Sequence, residues 1–138
     1  MKFSTVCMLA IVVLVPFGLA FLLNPAMTGA FYGIGGWTEG TGVVARLFGL
    51  HLLFTGAASL AVMQSAEIAL QRRFSIMFCV LSALGAIAYA LTALRPGVGP
   101  TLWATVAIYV FFAAAWGSLG LKLVDVDDDD PDLPPEMR

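Results

Sequence analysis

The sequence predicts an all-α integral membrane protein: a four-helix up-down-up-down bundle, N-in/C-in, followed by a disordered acidic C-terminal tail. Three observations carry that prediction. The 138 residues are 60% hydrophobic and 12% charged, with a mean hydropathy of +0.93, which leaves too little polar surface for a soluble domain of this size. Four apolar runs reach the roughly 20 residues that a hydrocarbon core of about 30 Å requires. Seven of the nine acidic residues lie beyond position 124, so charge is segregated at one end of the chain.

The first run extends from about residue 3 to residue 23 and stops at Asn24 and Pro25, a pair that favours a turn over a continued helix. Its opening, MKFSTVCMLAIVVLVPFGLA, also resembles a signal peptide, with Lys2 as the charged region and Gly18 and Ala20 at a possible cleavage site. A retained helix is the expectation, because the apolar run continues past Ala20 to spanning length. Pro16 is expected to kink this helix without breaking it. The second span covers about 42–63 and is followed by the polar segment QSAEIALQRR. The third covers about 74–94 and closes on RPGVGP; the fourth covers about 101–121 and ends at Lys122. Connections this short make successive helices antiparallel neighbours. Residues 1–122 thus form one transmembrane domain and 123–138 a tail.

Orientation follows from the basic residues, since cytoplasmic loops retain positive charge. With both termini inside, Lys2, Arg72, Arg73 and Lys122 are cytoplasmic, and only Arg46 and Arg95 are outside. The outer connection NPAMTGAFYGIGGWTEGTG is rich in glycine but has neither the lysine nor the preceding strand of a phosphate-binding loop. Its aromatics, Trp37 among them, suit the headgroup layer, so Trp37, Arg46 and Arg95 are read as interface anchors. Glu39 has the reach to pair with Arg46 or Arg95.

The second span holds the chemistry. His51, the single histidine, recurs with Thr55 and Ser59 at every fourth position, a polar stripe on one helix face. Ala45, Gly49 and Gly56 form a second, small-residue face for close helix packing. Matching small residues stand in the third span (Ser82, Ala86, Ala90) and the fourth (Ala113 with Gly117, Ala114 with Ser118). An ionisable residue at bilayer depth is a functional hypothesis by default. Three readings of His51 compete: a neutral imidazole bonded to Tyr89, Tyr109, a serine or a carbonyl that joins helices; the axial ligand of a tetrapyrrole, for which one histidine suffices; or proton and substrate handling.

Several functions are excluded by what the spans lack. No span carries a buried acid, which argues against proton-coupled export. A diheme cytochrome needs more than one histidine, and Cys7 and Cys79 have neither CxxC nor zinc-ligand spacing. They read as small buried apolar residues, without a disulfide. A nucleophile-and-base hydrolase has no defined partner for His51. Nucleic acid is excluded as a partner, because the largest basic cluster is Arg72 with Arg73.

The tail DVDDDDPDLPPEMR combines dense negative charge with prolines and buries too little to fold alone. Asp125, Asp127, Asp129 and Glu136 match the acidic positions of a calcium loop. Asp130 occupies the obligatory glycine position, however, and three prolines interrupt the loop, so no metal is expected. Asp125, Asp127, Asp128, Asp129 and Asp130 are read either as a solvated tail or as a docking segment for a basic surface.

A first span closing on Asn24 and Pro25, a glycine-rich outer loop, and a second span opening ARLFG (Ala45 to Gly49) together resemble the small four-helix bacterial membrane proteins grouped as DoxX-like. The resemblance covers about residues 3–121 and implies a bundle, with no catalytic residue transferred. The expected role is a non-catalytic accessory subunit of a larger complex of respiratory or photosynthetic type in the bacterial inner membrane, its partners being the bilayer and other membrane subunits. The alternatives are a tetrapyrrole or lipophilic-ligand binder using His51, and a small transporter. No cofactor is otherwise assigned.

Overall fold

Helix boundaries follow local capping chemistry. The computed structural model describes residues 2–33, 38–95 and 100–128, with 124–128 as backbone only. It contains α1 (Phe3–Leu23), α2 (Pro25–Phe31), α3 (Glu39–Met63), α4 (Ile68–Ala93) and α5 (Thr101–Asp128). Four helices are long and apolar enough to cross a membrane: α1, α3, α4 and the Thr101–Leu123 part of α5.

α1 runs through Pro16 without interruption. α2 is absent from the sequence expectation, which treated this stretch as loop. Asn24 ends α1 but also caps α2: its side-chain oxygen accepts from the Met27 amide at 3.2 Å, and Pro25 takes the first helical position, where its missing N–H costs nothing. Thr38 caps α3 in the same manner, accepting from the Thr41 amide at 3.2 Å, so α3 starts at Glu39 rather than Gly42. α4 starts at Ile68 and carries Arg72 and Arg73 inside the helix rather than in a connecting segment. α5 passes Lys122 and its backbone continues as helix to Asp128, beyond the end at about residue 121 read from composition. Nothing before Pro131 interrupts the helix sterically, although the aspartates oppose the helix dipole.

The helices associate as two close pairs, α1 with α3 and α4 with α5. In the first pair Val15 lies against Gly56, while Gly18 lies against Gly49 and Leu53, so the two helices run in opposite directions. In the second, Ile76 faces Gly120, Cys79 faces Gly117 and Tyr109 faces Gly85, again antiparallel. The buried seam of α3 is Gly42, Ala45, Gly49, Leu52, Gly56 and Ser59. Its alternating spacing of three and four keeps one line of contact along the partner.

The pairs meet at the end that holds the start of α1. Val6, Cys7 and Ala10 of α1, Val62 of α3 and Phe74 of α4 form one buried cluster with Phe112, Ala115, Trp116 and Leu119 of α5. Trp116 is 1% exposed. Phe3, Phe74 and Phe78 surround it at centroid distances of 6.0, 5.6 and 5.7 Å, two of them edge-on. Further along, α1 and α5 part to leave an open apolar groove of about 320 Å³ lined by Leu9, Val13, Ile108 and Phe111. At the opposite end α2 bridges them: Thr101 Oγ1 donates to the Phe31 carbonyl at 3.0 Å, and Thr105 Oγ1 donates to the Tyr32 hydroxyl at 3.5 Å.

Two of the three glycine contacts of α4 and α5, those of Gly85 and Gly117, differ in tolerance. A methyl group on Gly85 would stand 2.5 Å from the Tyr109 ring, whereas one on Gly117 would stand 3.1 Å from the Cys79 sulfur. Tyr109 is held by Tyr89, at a centroid distance of 5.2 Å. Gly85→Ala is expected to displace Tyr109 and to destabilise the protein by about 1 kcal/mol, with Gly117→Ala costing a few tenths. Unfolding midpoints of the two variants in one detergent titration check the order.

Candidate functional site

The candidate site is the face of α3 turned away from α1. His51 stands at the centre of the helix, twelve residues after Glu39 and twelve before Met63. At 1.5 Å per residue it lies about 18 Å from either end, close to the mid-plane of a spanning segment. The side chain is exposed, among the exposed apolar residues Leu47, Leu50 and Phe54. It makes no hydrogen bond with any described residue.

The helix-joining bond expected of His51 is therefore not made with any described residue. Tyr89 and Tyr109 face each other instead. Nor is the stripe a single face. Thr55 Oγ1 donates to the His51 carbonyl and Ser59 Oγ to the Thr55 carbonyl, each at 2.9 Å, so both hydroxyls are satisfied on their own helix. Exposure falls from exposed His51 through half-buried Thr55 to Ser59 at 0%. A step of four residues overshoots a full turn by about 40°, and two steps carry the stripe from the outer surface into the seam.

Ala45, Gly49 and Gly56 are buried, but their partner is α1, not the third or fourth span. Gly18 was the missing half. A methyl on Gly49 would lie 2.7 Å from the Gly18 carbonyl oxygen, and one on Gly18 would lie 2.9 Å from that of Gly49. The signal was present as a glycine within a long apolar run, where its position also suited a cleavage site. Ser82 and Ala86 are buried on α4, and Ala113 and Gly117 are half-buried on α5. Ala114 and Ser118 face outward. Cys7 is buried and Cys79 half-buried, both as free thiols.

A second set of polar groups gathers where α1 turns into α2 and α3 begins. Leu23, Asn24, Pro25, Glu39, Val43 and Arg46 line a cleft of about 530 Å³. Glu39 and Arg46 are exposed and form no ion pair with each other or with Arg95, contrary to the pairing expected. Arg95 is exposed at the end of α4. Trp37, Asp129 and Asp130 lie outside the described residues, and Asp125, Asp127 and Asp128 are described as helical backbone. Among the described residues no three histidine, cysteine or acidic side chains gather to hold a metal ion. The chain matches no protein-family model, no curated protein and no solved structure.

Proposed function

We propose that this chain is a non-catalytic accessory subunit of a larger membrane complex of respiratory or photosynthetic type. In this reading it crosses the bacterial inner membrane as an N-in/C-in, up-down-up-down bundle, related to the DoxX-like proteins. Asp125, Asp127, Asp128, Asp129 and Asp130 are held on the cytoplasmic side to dock on a basic surface. The observation that carries the reading is His51: an imidazole at the middle of a spanning helix, turned outward and without a hydrogen bond to any described residue. Left in hydrocarbon, its polar nitrogens go unsatisfied at a cost of several kcal/mol, a cost removed when a neighbouring chain supplies the partner.

The test is recovery of the tagged chain from native membranes in a mild detergent, with mass spectrometry of what accompanies it. Stoichiometric recovery with one assembly is expected. His51→Leu is expected to lower that recovery about tenfold, the equivalent of about 1.4 kcal/mol, while leaving the chain helical. Recovery of the chain alone, or no effect of the substitution, would count against the proposal.

The same unpaired imidazole favours a second reading, a five-coordinate tetrapyrrole ligated by His51. A visible absorption band that purifies with the chain and disappears in His51→Ala would support it; a colourless preparation would not. The transporter reading has less support, because no acid lies deep in a span for coupling.

A further inference from the structure

The cleft between the α1–α2 corner and the start of α3 has the charge order of a zwitterionic lipid headgroup. Glu39 and Arg46 are seven residues apart on α3, about 20° short of two full turns, so they share a face with a rise of about 10 Å between them. Glu39 is the first helical residue and Arg46 lies deeper towards the apolar middle. Side chains on a helix lean towards its N-terminus, so the Arg46 guanidinium is directed back up the cleft, to the level where phospholipid phosphates lie. The two charges line the same 530 Å³ space without pairing. Between oppositely charged neighbours, that arrangement leaves room for a ligand that meets both.

The third polar group is Asn24. Its side-chain oxygen is occupied by the Met27 amide, while its NH₂ reaches only the Met27 sulfur at 4.0 Å and keeps donor capacity. Leu23, Pro25 and Val43 form an apolar part of the lining, with Val43 between the levels of Glu39 and Arg46 on α3. The volume of this cleft lies in the range of small-ligand sites, and its polar groups, Thr38 included, make up about half of the lining.

We infer that this cleft binds an ethanolamine phospholipid, with Arg46 and the Asn24 amide on the phosphate, Glu39 on the terminal ammonium, Val43 against the two methylenes between them, and Leu23 and Pro25 against the glycerol. The ligand's own charge order fits, since the phosphate lies nearer the acyl chains and the ammonium further out. A glycerol headgroup offers no cation to Glu39, and a choline headgroup has no N–H to donate to it. The inference rests on α3 spanning the membrane and is independent of any partner subunit, so its failure leaves the accessory reading untouched.

The test is native mass spectrometry of the delipidated full chain, titrated separately with dioleoyl phosphatidylethanolamine, phosphatidylcholine and phosphatidylglycerol. The ethanolamine lipid is expected to bind one site about fivefold more tightly than the glycerol lipid, the ratio that a partly exposed ion pair supplies, and more tightly than the choline lipid by the N–H hydrogen bond that choline lacks. Glu39→Gln should erase the preference, Glu39→Asp should retain it, and Arg46→Gln should weaken all three lipids. Equal or tighter binding of the glycerol lipid, or a preference that survives Glu39→Gln, would overturn the assignment. Displacement of the lipid by equimolar soluble phosphoethanolamine would also overturn it, giving the cleft to a free phosphoamine.

Discussion

Gly49→Leu is expected to drive α1 and α3 apart and lower the stability of the folded chain by about 3 kcal/mol or more. Even alanine is informative here. Its methyl carbon would stand 2.7 Å from the Gly18 carbonyl oxygen, 2.9 Å from the Leu22 nitrogen and 3.0 Å from the Phe21 Cβ. Two of these are backbone atoms, which cannot rotate away, so relief requires the helices themselves to move. Alanine has the higher helix propensity by about 1 kcal/mol, so Gly49→Ala would stabilise α3 if the contact were loose. The expected result is a loss of about 1 to 3 kcal/mol, because close backbone approach is what holds helices together where lipid removes the hydrophobic drive between them. Detergent-titration unfolding followed by circular dichroism measures it. An unchanged or raised midpoint for Gly49→Ala would refute the close approach of Gly18 and Gly49.

Trp116→Ala has the next largest expected effect, about 2 to 3 kcal/mol. The figure sits at or below the lower end of what large aromatic truncations cost in aqueous cores, because part of that cost is transfer to water, which a core surrounded by lipid does not incur. What remains is the cavity and the lost ring contacts with Phe3, Phe74 and Phe78. Phe3 is on α1, Phe74 and Phe78 on α4, and Trp116 on α5, so the loss falls on the joint between the two helix pairs. Hydrogen exchange is expected to rise at the chain-terminal end of α1 and α5 in Trp116→Ala, while the α1–α3 contact around Gly49 keeps its protection. Uniform loss of protection along all four long helices would instead show that the pairs unfold as one unit.

Much of the framework was legible because spanning length and apolar composition are local properties. α1 has the predicted bounds, Phe3–Leu23, and all four candidate spans overlap the runs read from composition. The boundaries that moved did so for equally local reasons. Thr38 and Asn24 accept backbone amides as caps, and α5 meets no proline before Pro131. Both caps were readable: Asn followed by Pro is a helix start as well as a helix stop.

The candidate site was legible in its residues but not in its geometry. His51 stood out because an imidazole among apolar residues needs a partner, and the chain supplies none among its described residues. Its outward direction depended on where the α3 seam lies, and the α3 sequence offers two candidate faces. The cleft of Asn24, Glu39 and Arg46 was hidden for a similar reason: it joins the corner after α1 to the start of α3, and its residues have no common local pattern.

By itself, then, the sequence determined the four long apolar helices and the segregation of acid into the last residues, because hydropathy and proline sterics act within a few positions. Only the tertiary structure decided which helices pair. Many spans carry small residues at matching spacing, but a backbone contact needs two glycines at one level, and Gly18 with Gly49 meets that condition. That pairing buries one side of α3 and thereby turns His51 outward.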